Sequence, residues 1–295
     1  MCIRDRVVIG PGQSKTFDQA LGSDTVNCAT LADSVSGRFV GSAQITSEEP
    51  VVATVMQVNS TDYRIMLGYN GFISGGSNVR APLVMANNRG FYTGIQVQNV
   101  GTMTATVTVA YSDNTQETIT IKPQDDVFEL GPGVSKTLLQ DGAPPSNGSE
   151  LNDYTLLGRY VGAATVSSDN GQPLVVIVNQ AFPGPDQGPF GTAYEGFSAE
   201  TASMRMSVPL VMANNNTYYT GIQVQNAHTE AVDVTITYAP NAATGIDPIN
   251  NPESDVFTLP PGASKTIIHN DAPPANGSTV NDLSLIHISE PTRPY

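Results

Sequence analysis

The sequence predicts an all-β protein, an antiparallel sandwich repeated along the chain, and three observations predict it. Apolar residues alternate with threonine, asparagine and glutamine in short runs, which is the pattern of half-buried strands. Glycine (27) and proline (21) interrupt those runs, and charged residues make up only 14% of the chain, so turns are plentiful and long helices are not expected. Finally, whole segments return after a domain's length of chain.

The strands follow in order through the best-preserved stretch. Residues 82–86 form an apolar run after a proline, and in 92–99 Ile95 and Val97 alternate with Gln96 and Gln98. From 103 to 111, Met103, Ala105, Val107, Val109 and Tyr111 face one way, with threonines at 104, 106 and 108 facing water. Ile119 and Ile121 alternate with Thr118 and Thr120; the runs 126–130, 134–139, 160–168 and 173–180 complete seven or eight strands. No window carries an apolar period of 3.6, so any helix should be one or two turns. Two stretches, 141–158 and 181–203, read as irregular loops.

The repetition divides the chain. Residues 81–88 return at 208–215 and 92–99 return at 219–226, both after 127 positions. Gly12-Gln13-Ser14-Lys15-Thr16, Gly133-Val134-Ser135-Lys136-Thr137 and Gly262-Ala263-Ser264-Lys265-Thr266 are three copies of one segment. Arg38–Ala43 matches Arg159–Ala164, and Tyr69-Asn70-Gly71-Phe72 matches Tyr194-Glu195-Gly196-Phe197. The expected organisation is the back part of one copy at 7–80, a complete copy at 81–204 and the front part of a third at 205–282. A period above 120 residues is a domain, too long for one turn of a solenoid.

These motifs together, Pro-Leu-Val-Met-Ala-Asn-Asn, Thr-Gly-Ile-Gln-Val-Gln-Asn, the Pro-Gly-x-Ser-Lys-Thr turn and the Val-Gly-[Ala/Ser]-Ala strand, resemble the Ig-like, fibronectin-III-like repeats of large bacterial extracellular proteins of the Chloroflexota type. The resemblance covers 7–282. It implies tandem Ig-like β-sandwich domains, one complete and two truncated, in a secreted or cell-surface protein. Such modules act as structural or adhesive elements, so no enzymatic activity is implied. The alternative is a carbohydrate-binding accessory module of a larger extracellular enzyme.

The chemistry available agrees with a non-enzymatic reading. Residues 81–204 contain neither His nor Cys, the usual bearers of nucleophilic and metal chemistry. His228 and His269 face Val100 or Gly101 and Gln140 in the complete copy, and read as solvated. The Gly-x-Ser-Lys-Thr segment is no phosphate loop, because its lysine follows serine and it lies between strands; a tight turn is expected. Lys15, Lys136 and Lys265 read as exposed strand lysines rather than as isopeptide partners. Asp125-Asp126, Glu253 with Asp255, and Asp169-Asn170 could offer oxygens to calcium but read as solvated charges. No catalytic, cofactor-binding or metal-ligating residue is expected. Candidate ligand contacts are the aromatic pairs Phe91-Tyr92 and Tyr218-Tyr219, together with Asp153 and Tyr154 in the first loop stretch. Their partners would be glycans or proteins of a cell surface or matrix. With 13 basic against 27 acidic residues nothing favours nucleic acid, and no apolar run is long enough to span a bilayer.

The two ends differ from the rest. Met1–Arg6 can be encoded ATGTGTATAAGAGACAG, and Leu283–Ile288 by its reverse complement. Both resemble translated sequencing-adapter sequence, so 1–6 and 283–295 are expected to be artefacts, with any signal peptide or anchor beyond the fragment. Without them Arg4, Arg6, Arg293, Asp5 and Glu290 drop out, leaving 10 basic and 25 acidic residues and Cys28 as the lone cysteine. Deleting both tails should move the melting temperature of the 81–204 copy by no more than about a degree or two, read by calorimetry. Loss of folding on deletion would show that the tails belong to the fold.

Overall fold

The computed structural model describes residues 7–17, 40–58, 66–114, 122–141, 148–154, 158–182, 190–213, 215–239, 254–270 and 278; for Asp153, Tyr154 and Phe190 it describes backbone only. Residues 1–6 and 283–295, the strand expected near 118–121 and Cys28 lie outside the described residues. The chain divides into two compact units, 1–44 and 45–295. In the first, residues 10–13 form a turn closed by Gln13 N–H donating to Gly10 O at 3.0 Å.

The protein is all-β, with antiparallel pairing throughout the described strands. In the second unit a hairpin, β1 (Thr54–Val58) and β2 (Met66–Asn70), precedes β3 (Asn78–Ala86), β4 (Tyr92–Asn99), β5 (Ala105–Tyr111), β6 (Asp126–Leu130) and β7 (Ser135–Leu139). One helical turn, α1 (Leu151–Tyr154), leads to β8 (Tyr160–Ser168), β9 (Leu174–Phe182), β10 (Phe190–Glu195) and β11 (Phe197–Ser198). β12 (Gly221–Gln225), β13 (Val232–Ile236), β14 (Asp255–Leu259) and β15 (Ser264–Ile268) make two further antiparallel pairs, β12 with β15 and β13 with β14.

Strands β3 to β11 make two sheets, in the orders β10-β9-β4-β7 and β11-β3-β8-β5-β6. Alternate residues of both sheets meet in one core: Val79 and Val84, Ile95 and Val97, Val107 and Val109, Val166, Leu174, Val176 and Val178 are all essentially buried. The threonines of β5 sit between these positions, half-buried on the other face. Burying a valine or isoleucine this fully contributes about 1.5–3 kcal/mol, and a one-residue slip in any strand would forfeit the whole set. The loop expected over 181–203 instead holds the end of β9 and all of β10 and β11. Its proline-glycine run hid the strand Phe190–Glu195, whose backbone pairing with β9 outweighs weak local signals.

The repeated motifs coincide in strand register. β4 pairs with β7 from Gly94↔Leu139 to Gln98↔Ser135, and β12 with β15 from Gly221↔Ile268 to Gln225↔Ser264. β5 pairs with β6 from Ala105↔Leu130, and β13 with β14 from Val232↔Leu259. Likewise Tyr194↔Val178 in β10 and β9 has its counterpart in Tyr69↔Val55 of the β1–β2 hairpin. Limited proteolysis of the whole chain should therefore leave a resistant fragment running from β3 to β11, where both sheets and a shared core are present. A protected product covering 7–80 instead would contradict this.

Candidate functional site

Each repeated motif places a particular polar group. The Pro-Gly-x-Ser-Lys-Thr segments are tight turns: Gly12, Gly133 and Gly262 have φ of 69°, 74° and 70°, and the residue after each glycine donates its N–H to the carbonyl three residues back. Proline before a left-handed glycine is the signature of a type II turn. Any residue with a Cβ would be strained there. Asn99, last residue of β4, is fully buried; its Nδ2 donates to Met103 O and Leu130 O at 2.8 and 2.9 Å. Asn226 repeats the contacts on Glu230 O and Leu259 O at 2.7 and 2.9 Å. The asparagine thus ties one sheet to the connection entering the other.

At the opposite end of the sandwich lies a buried polar cluster. The Tyr111 hydroxyl donates to Asp126 Oδ2 at 2.6 Å, Ser149 Oγ donates to the same oxygen at 3.0 Å, and Glu150 N–H donates to Oδ1 at 2.8 Å. Gln140 closes the cluster, with Nε2 donating to Leu138 O at 3.1 Å and Oε1 lying 2.9 Å from the Thr93 hydroxyl. Asp126 and Ser149 are 4% and 3% exposed. Burial, with the nearby Asp126 carboxylate, holds the Tyr111 hydroxyl well above its ordinary value of 10.0. In the third copy Tyr238 donates to Asp255 Oδ2 at 2.5 Å and Ser278 Oγ to Tyr238 at 2.9 Å. His269 takes the place of Gln140, its Nε2 3.1 Å from the Tyr238 hydroxyl and its Nδ1 2.8 Å from Thr220 O.

Three expectations are corrected here. His269 is fully buried rather than solvated, because its ring stands at the position of Gln140 and finds partners of its own in the Tyr238 hydroxyl and the Thr220 carbonyl. Asp126 and Asp255 are buried hydrogen-bond acceptors rather than loop charges, whereas Asp125 and Asp169 are exposed. Lys136 shares the inward side of β7 with Leu138, opposite Val97, and its Nζ lies 4.4 Å over the Phe128 ring; Lys265 sits 4.6 Å over Phe257. The aromatic face accepts the cation at the sandwich edge while the stem covers apolar surface. His228 is exposed, as expected.

The candidate ligand contacts divide between copies. Phe91 packs on Phe182, ring centres 4.8 Å apart, and Tyr92 is half-buried, its hydroxyl pushed up by burial and by Asp141. α1, which carries Asp153 and Tyr154, lies at the same end, since Asn152 Nδ2 donates to Leu139 O at 2.9 Å and Leu139 pairs with Gly94. Tyr218 and Tyr219 are 67% and 56% exposed, and no strand equivalent to β9 covers them among the described residues. A shallow groove of about 210 Å³ lies between Thr54, Tyr69 and Asn70 of the hairpin and Ala193–Glu195 of β10. Glu195 Oε1 accepts the Asn70 N–H there at 2.8 Å. No group of three or more His, Cys, Asp or Glu side chains is placed to hold a metal ion among the described residues, and no helix among them is long and apolar enough to cross a membrane.

Sequence reading missed the buried cluster. Its signal was present: Tyr111 and Tyr238, Asp126-Val127-Phe128 and Asp255-Val256-Phe257, Asn147-Gly148-Ser149 and Asn276-Gly277-Ser278 recur in step. No family model matches the chain, and no curated protein does. Among solved structures it is similar to the crystal structure of Thermotoga maritima 1070, at 17% identity over 42% of this chain and 95% of that one, with a TM-score of 0.29.

Replacing Tyr111 by Phe should cost about 1–3 kcal/mol near neutral pH, by leaving the buried carboxylate short of a donor. The tyrosine also predicts alkaline sensitivity. Its folded value is raised, so its contribution is complete below pH 10 and is lost as pH rises and the unfolded tyrosine ionises. Urea unfolding midpoints should therefore fall above about pH 10, less steeply in Y111F. An unchanged slope in the variant would assign the alkaline loss elsewhere.

Proposed function

We propose that the chain is a run of Ig-like, fibronectin-III-like repeats serving as a non-enzymatic structural or adhesive module of a secreted or cell-surface bacterial protein. The observation that carries this reading is that the repeated motifs are consumed in holding the frame. The Pro-Gly turn, the Asn99 and Asn226 ties, the Tyr-Asp-Ser cluster and the lysine-phenylalanine pair recur in the same register. The Tyr-Glu-Gly-Phe motif is used in the same way: Tyr194 donates to Leu83 O at 2.7 Å and accepts from Leu83 N–H at 3.1 Å, filling the bulge in β3. A site for chemistry would leave at least some of these groups open to a substrate. The acidic excess suits a display element kept apart from its neighbours by charge.

A second reading, a carbohydrate-binding accessory module, draws on the exposure of Tyr218 and Tyr219. Against it stands the complete copy, where Phe91 is covered by Phe182. Incubating the chain with panels of glycosidic, ester and peptide substrates should give no turnover, and a glycan array should stay blank. Turnover would overturn the main reading. A glycan signal lost in Tyr218→Ala and Tyr219→Ala would establish the second.

A further inference from the structure

We propose that the outer face of β3 and β8 is the seat on which the third copy docks, with Arg80 as its fastening, so that the two copies stand at a fixed angle instead of swinging on the segment between them. This goes beyond the module reading and rests on hydrogen bonds that join residues of one copy to residues of the next. Val79 and Ala81 of β3, and Ala164 and Val166 of β8, point into the core of the complete copy. That turns Arg80 and Thr165, paired across the two strands, to the outside. Arg80 Nη1 donates to the Thr165 hydroxyl at 2.6 Å, which aims the guanidinium, and Nη2 donates to Ala227 O at 3.2 Å. Ala227 lies just beyond β12, in the third copy. From that copy Gln225 Nε2 donates back to Ala164 O of β8 at 3.3 Å. Two bonds thus cross one contact in opposite directions, each from a planar side-chain group to a backbone carbonyl.

The repeat itself shows which surface of the third copy is used. Ile222 and Val224 of β12 stand where Ile95 and Val97 face the core, so Gln223 and Gln225 lie on the outward face, opposite Thr266 and Ser264 of β15. In the complete copy the equivalent Ser135 is half-buried and Thr137 is exposed, whereas Ser264 is 2% exposed and Thr266 is half-buried. Gln98 and Gln225 both reach the carbonyl of a turn glycine, Gly133 or Gly262; the bond to Ala164 is what Gln225 adds. β12 lies against β3, and β15 against β8. Burial that differs between copies at the same residue types is the footprint of one copy on another. Docking does not compete with the third copy's own core, because Ile267, which stands where core residue Leu138 does, is buried on the other side of β15. Arg80 Nε and Gln225 Oε1 are sealed from solvent without a partner, and burial lowers the guanidinium from its ordinary value of 12.5. The joint therefore carries a desolvation cost that its two crossing bonds offset, and losing either bond should open it. Ser207 stands in the third copy where Arg80 stands in the complete one, 127 positions on, so this fastening belongs to this pair of copies.

The test uses the full chain with Cys2→Ser and Cys28→Ser, carrying spin labels on Val134→Cys in the β6–β7 turn and Val256→Cys in β14, positions 51% and 67% exposed. Double electron–electron resonance should return one narrow distance distribution between the two copies. Arg80→Ala and Gln225→Ala, which open the joint from opposite sides, should each broaden that distribution at least about two-fold, free relative motion being the default for modules without a holding interface. Hydrogen exchange should show the amides of β3, β8, β12 and β15 as protected in both variants as in the parent chain. A broad distribution in the parent chain overturns the proposal, as does an unchanged width in either variant. It is also overturned if broadening comes with lost protection in β12 and β15, since these residues would then hold the fold of the third copy rather than its angle. None of these outcomes bears on turnover or glycan binding, so failure here is distinct from failure of the module reading.

Discussion

The carboxylate of Asp126, buried between the end of β5 and the loop after β7, is the group on which the rest of the complete copy depends. A charge taken out of water with no partners would cost several kcal/mol. It is instead met by a tyrosine hydroxyl from the end of β5 and by a serine hydroxyl and a backbone N–H from the segment before α1. Satisfying it fixes where β5 ends, where β6 begins and how the chain re-enters through α1. Asn99 does the equivalent work at the other end, where its amide satisfies carbonyls that the sheet ladders leave over. Between the two ties the interior is aliphatic, and there close packing suffices.

The cluster also shows how much variation such a frame accepts. Gln140 accepts from the Thr93 hydroxyl with its oxygen and donates its amide to the Leu138 carbonyl; His269 in the third copy uses two ring nitrogens to reach the Thr220 carbonyl and the Tyr238 hydroxyl. Both side chains offer two polar atoms at opposite ends of a planar group of similar reach. The tyrosine of each cluster meets a different ring edge-on: Tyr111 meets Tyr160, and Tyr238 meets His269 itself. What is kept is a buried, planar, two-ended polar group, while the residue supplying it and its partners change. A histidine in this position is therefore a structural member, despite being the residue most often associated with chemistry.

Much of the fold was legible because burial alternates with period two. Ala105, Val107 and Val109 announce β5, and Ile95 with Val97 announce β4, since half-buried strands have no other economical pattern. The parts that were not legible are those fixed by contacts distant in sequence. Phe190–Glu195 follows a run rich in glycine and proline, and its strand conformation comes from pairing with β9. The inward side of Lys136 depends on where β7 meets Val97, which local alternation around Val134 and Ser135 obscured. The buried state of Asp126 was hidden by its neighbour Asp125, for two adjacent acids read as a solvated pair until the partner tyrosine, 15 residues away, is brought to one of them. As for the aromatic pairs, sequence identified them but not their cover: Phe91 is masked by Phe182, from a strand some ninety residues on.

Differences in length between the copies fall where register cannot be disturbed. The offset between the second and third copies is 127 up to Tyr111 and Tyr238 and becomes 129 at Asp126 and Asp255, so two residues are added in the β5–β6 connection. The offset between the first and second copies is 123 in β1 and β9 and 125 in β2 and β10, which again places two residues in the connection between paired strands. Lengthening a loop costs little, since closure entropy grows only with the logarithm of its length. Adding one residue inside a strand would instead turn every apolar side chain beyond it to the wrong face. Length is therefore free in the connections and confined in the strands, so the copies can differ in their loops without loosening the frame.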